Sequence, residues 1–195
     1  METIDRRIRR THRSLHSALM SLILEKSYDS ITVQEVLDRA DIGRSTFYAH
    51  FAGKDELFLS GTNGLRETLE AALQNTRFNK SGHKVVIGFS RAMFEHAHEY
   101  RSMYHALLST QAWPLFRERL QEILQELIGR ECKAEIQKIK KANSEVPVDL
   151  VVHYLSSAFL SVLTWWLDRK SRLTPAQIDD VFCSLVVPTL DAVLK

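Results

Sequence analysis

The chain has 195 residues, 45% of them hydrophobic and 26% charged, with a formal net charge of +2. This balance excludes an intrinsically disordered chain, allows one well-cored domain or two small ones, and is too near neutrality to mark a nucleic-acid binder by net charge alone. Only 7 glycines and 4 prolines, with no alternating strand-like runs, point to an all-α fold.

The N-terminal METIDRRIRRTH has no apolar run behind its charges, so it does not read as a secretory signal. No segment approaches 18 uncharged apolar residues, and a cytoplasmic protein without a membrane segment is expected. Arg6, Arg7, Arg9, Arg10 and Arg13 crowd this end, either as a solvated helix face or as a strip that follows phosphates. Apolar or semi-apolar positions at Ile8, His12, Leu15, Leu19, Leu22 and Ile23 recur at helical spacing and predict a first helix ending near Lys26.

Turn formers in SYDSI follow, and then Thr32 with Glu35 forms a T-x-x-E capping box. The second helix should run from Val33 to about Ala40 and bury Val33 or Val36 together with Leu37. Asp41-Ile42-Gly43 reads as a tight turn in which glycine supplies a positive φ. A third helix is expected from Arg44 to about Phe51, with Phe47 and Phe51 at i and i+4 on one face and polar residues on the other. After Ala52-Gly53, acidic residues in the first turn favour a fourth helix from Lys54 towards Gln74, weakened at Gly61 and Gly64 by roughly 1 kcal/mol each.

The polar stretch at residues 75–83 reads as a linker. Further helices are expected near 84–99, 101–111, 113–142, 148–169 and 175–194. In VDLVVHYLSSAFLSVLTWWLDR apolar residues fall on nearly every side, which predicts a helix buried all round. The last helix opens with Thr174 as N-cap, Pro175 at its first position and Gln177 closing a capping box, and Pro188 should kink it. Two such apolar terminal helices can fill a core and still leave a face for a partner, so a homodimer is expected.

Catalytic chemistry finds little support. Cys132 and Cys183 lack CxxC spacing, which suggests two reduced helix residues rather than a disulfide or zinc site. Glu95 and His98 form a single E-x-x-H pair, half of what a di-iron bundle requires. No glycine-rich phosphate loop and no G-x-S-x-G is present, so no enzyme, cofactor or metal is expected.

Short helices with a tight turn before the third fit a helix-turn-helix, although a short amphipathic helix in a bundle has the same spacing. In the first reading Arg44 can contact guanine, Ser45 and Thr46 can donate to phosphates or bases, and Tyr48, His50 and Lys54 reach backbone oxygens. Thr32, Val33 and Gln34 would lie across the groove edge.

The segment ITVQEVLDRADIGRSTFYAHFAGKDEL, with its T-[FL]-Y-x-[HY]-F-x-x-K core, resembles the N-terminal domain of the TetR family of bacterial transcriptional regulators over roughly residues 8–58. The resemblance carries the DNA-binding roles to Thr32, Val33, Gln34, Arg44, Ser45, Thr46, Tyr48, His50 and Lys54. It departs at Asp41, where many members have Gly, and at Gly43, where many have Ser.

What the resemblance implies is a helix-turn-helix domain at 1–58 and a helical ligand-binding and dimerisation domain at 59–195, the dimer forming through the two C-terminal helices. The implied partners are a double-stranded DNA operator, palindromic and bound by a repressor dimer, and an unidentified small-molecule effector. An activator of the same fold is the alternative, and a helical-bundle enzyme or interaction module is the other class. For the effector, Phe89, Met93, Phe94, Tyr104, Leu107, Trp113, Phe116, Tyr154 and Trp165 supply rings and soft side chains.

Overall fold

The computed structural model describes residues 2–79, 88–139, 146–168 and 171–194, and among these there are helices and no strand. They divide into two compact units, the first made of Met1–Asn63 with Ser102–Phe116 and the second of Gly64–Arg101 with Arg117–Lys195.

The first unit is built on α1 (Glu2–Glu25), a single turn of 3₁₀ helix (Tyr28–Ser30), α2 (Val33–Ala40), α3 (Arg44–Tyr48) and α4 (Lys54–Ser60). Helix α1 packs against α2 and α4, and α2 against α3. Leu15, Leu19, Leu22 and Ile23 from α1 meet Ile31, Val36, Leu37, Phe47, Phe51, Leu57 and Phe58 in a dry core. Of the expected pair in α2, Val36 is buried and Val33 only partly so.

Capping fixes where α2 begins. The Glu35 amide donates to Thr32 Oγ1 at 3.3 Å, and the Thr32 amide donates back to Glu35 Oε2 at 2.9 Å. The Lys26 ammonium and the Thr32 N–H then hold the Glu35 carboxyl down to about 2. On the far end, Arg39 clasps Glu25 through both terminal nitrogens and so ties α2 to α1.

Two turn expectations change. The positive φ falls on Asp41 (φ 53°), which caps α2 in the left-handed region, while Gly43 has φ −68°. A short polar side chain tolerates that region better than most, which explains how Asp can stand there. Helix α3 also stops at Tyr48 rather than near Phe51, because the His50 amide turns back to the Phe47 carbonyl at 2.9 Å and tightens the last turn. Phe51 nonetheless keeps its i+4 bond to Phe47 at 2.9 Å, so both rings face the core.

The helix expected from Lys54 to Gln74 is interrupted at Gly61, where α5 (Thr62–Asn79) begins a new run. A Cβ at Gly61 would approach the His16 ring to 3.2 Å, so glycine permits α1 and α4 to sit close here. Residues 75–79, expected to open a linker, continue α5, since NTRFN holds no Gly or Pro to stop it; residues 80–83 lie outside the described residues.

From the middle of the chain, α7 (Arg101–Leu107) and the start of α8 (Ala112–Ile139) belong to the first unit as far as Phe116. Phe116 stacks among Tyr104, Trp113 and Phe58, and the Gln111 amide donates to Asp29 Oδ1 at 3.0 Å.

The second unit comprises α5, α6 (Ser90–Glu99), the rest of α8, α9 (Val148–Asp168) and α10 (Pro175–Leu194). Its centre is aromatic: Phe94 and Phe159 lie 4.9 Å apart, Phe159 and Phe182 5.4 Å, Phe89 and Phe159 5.1 Å, and Phe94 and Trp166 5.6 Å. The Trp166 indole N–H is satisfied by the Leu173 carbonyl at 2.9 Å. The Thr174–Gln177 capping box opens α10 as expected, and Pro188 lies inside it.

Helix α9 corrects two expectations. It is not buried all round: Leu150, Tyr154 and Trp165 point outward, on the part of its circumference that α6, α8 and α10 leave uncovered. It is also long and apolar enough, by length and composition, to cross a membrane. Half of its most apolar stretch is buried inside the protein, where Val151, Leu155, Phe159, Leu163 and Trp166 serve the core.

Candidate nucleic-acid interface

On α3, neighbours in sequence part company. Phe47 is fully buried, whereas Arg44, Ser45, Thr46 and Tyr48 are exposed. The Phe47 ring lies 5.7 Å from the Phe51 ring and packs edge-on against the Tyr48 ring at 5.2 Å, so the apolar half of the turn orients the polar half. A helix of only five residues has little stability of its own. Its position comes from that pinning.

The start of α2 brings Thr32, Val33 and Gln34 to the same motif. Gln34 Oε1 accepts from Arg44 Nη2 at 3.0 Å, which joins the two helices across the turn. Thr32 Oγ1 is engaged by the capping box, so its hydroxyl is held in one place. His50 is half-buried, with its ring 4.9 Å from that of His12.

Lys54 sits differently from the rest. Its Nζ donates to the Tyr28 and Ile31 carbonyls at 2.7 and 2.8 Å and stands 4.1 Å from the centre of the Tyr28 ring. Partial burial lowers its pKa from the usual lysine value. Two of the three ammonium protons are thereby spent inside the unit, and the Tyr28 hydroxyl completes the arrangement by donating to Asp55.

Arg6, Arg7, Arg9, Arg10 and Arg13 are exposed along α1 and supply much of the positive charge of this unit. Two residues that sequence reasoning overlooked also belong here. Asp38, one turn after Gln34, accepts from Gln34 Nε2 at 2.7 Å, a contact that the i,i+4 spacing could have disclosed. His12, read only as a semi-apolar position, has a buried Nε2 with no hydrogen-bond partner, and burial followed by the neighbouring His50 lowers its pKa.

The nine aromatic and soft residues considered for an effector site are distributed over three places. Phe89, Met93 and Phe94 are buried in the aromatic centre of the second unit. Tyr104, Leu107, Trp113 and Phe116 lie in the first unit around Phe58, and burial pushes the Tyr104 phenol up. Tyr154 and Trp165 stand on the outer face of α9. As for the E-x-x-H pair, Glu95 receives Arg91 at 2.6 Å and His98 stacks on Trp166, so both are engaged within the fold.

Residues 15–60 match the family described as "Bacterial regulatory proteins, tetR family". Residues 87–187, more than half of the 195, match a TetR-type "Transcriptional regulator C-terminal region". The chain belongs to the TetR family.

Over 55 residues this TetR-family chain is 42% identical to YxbF, an HTH-type transcriptional regulator of Bacillus subtilis (strain 168), a match covering 28% of this chain and 14% of that one. Over 70 residues it is 31% identical to the HTH-type transcriptional regulator TcmR of Streptomyces glaucescens, covering 36% and 31%. The chain therefore spans less than a third of the length of these curated relatives. A TetR-family transcriptional regulator of Syntrophomonas wolfei str. Goettingen shares the fold, with a TM-score of 0.66 over 90% of this chain and 92% of that one at 16% identity. As a TetR-family member the protein is a helix-turn-helix, DNA-binding transcriptional regulator.

Proposed function

We propose that this regulator is an effector-responsive repressor that binds a palindromic operator as a homodimer, its half-sites about one helical turn or a little more apart. The observation that carries the reading is the split within α3: a fully buried Phe47 beside an exposed Tyr48, with Arg44, Ser45 and Thr46 on the same wet side. Such a helix is anchored by its phenylalanines and turns its polar side chains outward, towards phosphates and base edges. Thr32, Val33, Gln34 and His50 extend that surface, while Lys54 acts chiefly by bracing α4 against the 3₁₀ turn. The DNA-binding domain on this reading is residues 1–58, with 59–195 for dimerisation and ligand.

The second half of the reading rests on α9 and α10. Leu150, Tyr154 and Trp165 on α9, with Val181 and Leu185 on α10, expose large apolar side chains, and the Tyr154 hydroxyl reaches Thr189 Oγ1 on α10 at 3.4 Å. An outward apolar stripe shared by two adjacent helices suits a second copy of this chain, so Tyr154 and Trp165 serve the subunit contact rather than an effector. An effector would then be held near the rings of Phe89, Met93 and Phe94, and its binding would alter the spacing of the two recognition helices. The protein acts in the cytoplasm, where its DNA is.

A gel shift against the duplex upstream of its own gene tests this. Binding should fall steeply with salt, and Tyr48→Ala with Arg44→Ala should abolish sequence preference while the helical signal is kept. A protein that ignores duplex DNA at low salt would overturn the reading. A reporter fused to the same DNA decides the sign: added protein should lower its output, and a rise would make the protein an activator.

A further inference from the structure

Across the turn of the motif, three side chains on two helices form one line. Asp38 Oδ1 accepts from Gln34 Nε2 at 2.7 Å, and Gln34 Oε1 accepts from Arg44 Nη2 at 3.0 Å. We propose that Gln34, itself oriented by Asp38, is a positioning residue for Arg44, so that this line sets which base pair the recognition helix reads. The inference rests on the preceding reading that α2 and α3 face duplex DNA.

The chemistry of the amide supports a directed line. A carboxamide has one accepting and one donating end, and they cannot be exchanged without losing both partners. Asp38 accepts only, which forces the NH₂ of Gln34 towards α2 and its oxygen towards Arg44. The i,i+4 spacing within α2 keeps Asp38 and Gln34 on one face, and the capping box one residue before Val33 fixes where that face begins.

Arg44 gains from being held. Its long side chain is exposed on a five-residue helix, and without a neighbour it would have to be ordered when DNA arrives. The guanidinium has five N–H donors, and one given to Gln34 leaves an edge for the O6 and N7 of a guanine. Asp38 brings a negative charge near a phosphate-rich partner, which is unfavourable by itself and is understandable in an anchor. Because Gln34 is neutral, its role in positioning is separable from phosphate neutralisation.

The test uses the full chain and selection of bound duplexes from a randomised pool, with the preference at each base pair read by sequencing. Arg44→Ala should flatten one base-pair position in each half-site, and Gln34→Ala and Asp38→Ala should flatten that same position, lowering preference there by roughly tenfold. Asp38→Asn, which keeps an accepting oxygen, should retain the wild-type profile. The salt dependence of Gln34→Ala should match that of the wild type, since no charge is lost.

If Gln34→Ala flattens a different position from Arg44→Ala, Gln34 reads a base of its own and the proposal is overturned. Equal weakening on all sequences would overturn it too, by making Gln34 a plain backbone contact. A wild-type protein that selects no sequence fails at the earlier reading, before any variant is compared, and takes this inference with it.

Discussion

Tyr48 and Trp165 are 51% and 50% exposed, nearly the same fraction, yet they sit in opposite company. Around Tyr48 on α3 stand Arg44, Ser45 and Thr46, all exposed and all able to donate hydrogen bonds. In line with Trp165 on α9 are Leu150 and Tyr154, and on the adjoining α10 Val181 and Leu185. Exposure by itself therefore says little about a partner. The polarity of the neighbours decides whether an aromatic ring suits a hydrated polyanion or a dry subunit contact.

The two regions also differ in how they are held. Helix α3 itself contributes one buried ring, Phe47, while α9 contributes a full row of buried residues to an aromatic centre. The sharpest way to break the comparison is to remove that ring. Phe47→Ala should cost the first unit about 3–5 kcal/mol, seen as loss of amide-exchange protection in α1 to α3 with α9 and α10 still protected. Equal loss of protection in both units would show that they are not separately stabilised.

A somewhat smaller effect is expected on the other side. Trp165→Glu places a charge in the outward apolar stripe and should weaken subunit association by at least about 2 kcal/mol, or roughly thirtyfold, with the helical content unchanged. Sedimentation over a dilution series measures it. A wild-type protein that is already monomeric, or a variant that dimerises as well as the wild type, would remove the subunit-contact reading of this stripe.

The smallest effect is a pH slope in the first unit. Burial, reinforced by a neighbouring imidazole, holds His12 and His16 below the usual value of 6.5. Since the unfolded chain then takes up protons first, stability is present above about pH 6.5 and is lost as the pH falls towards the lower folded values. Carboxylates such as Glu35, whose folded value is about 2, add to the acid loss only at lower pH, as the pH falls from the ordinary value of 4.5 towards the folded one. Amide exchange in α1 to α4 should thus speed up between pH 7.5 and 5.5, after correction for intrinsic rates, and His12→Phe should flatten that change. An unchanged slope in the variant would locate the titration elsewhere.

Much of the first unit was legible because its signals are local. The Thr32–Glu35 box involves residues three apart, and both of its hydrogen bonds form as expected. The inward pairing of Phe47 and Phe51 follows from helical spacing, and so does the wet side opposite it. The turn was harder to read: which of Asp41 and Gly43 takes the positive φ depends on how α2 ends, which no residue type announces. The role of Lys54 was also hidden, because the carbonyls that receive it lie 26 and 23 residues earlier in the chain.

What the residues alone determined, then, is the helical class, the motif at 32–54 and the capped starts of α2 and α10, all of which depend on spacing along one helix or one turn. What tertiary packing decided is which side of α9 stays bare, which of the nine candidate rings share a core, and that Gln34 leans on Arg44. Those outcomes depend on neighbours distant in sequence, where periodicity carries no information. An apolar residue marks itself as wanting cover, but only the fold shows whether the cover comes from its own chain.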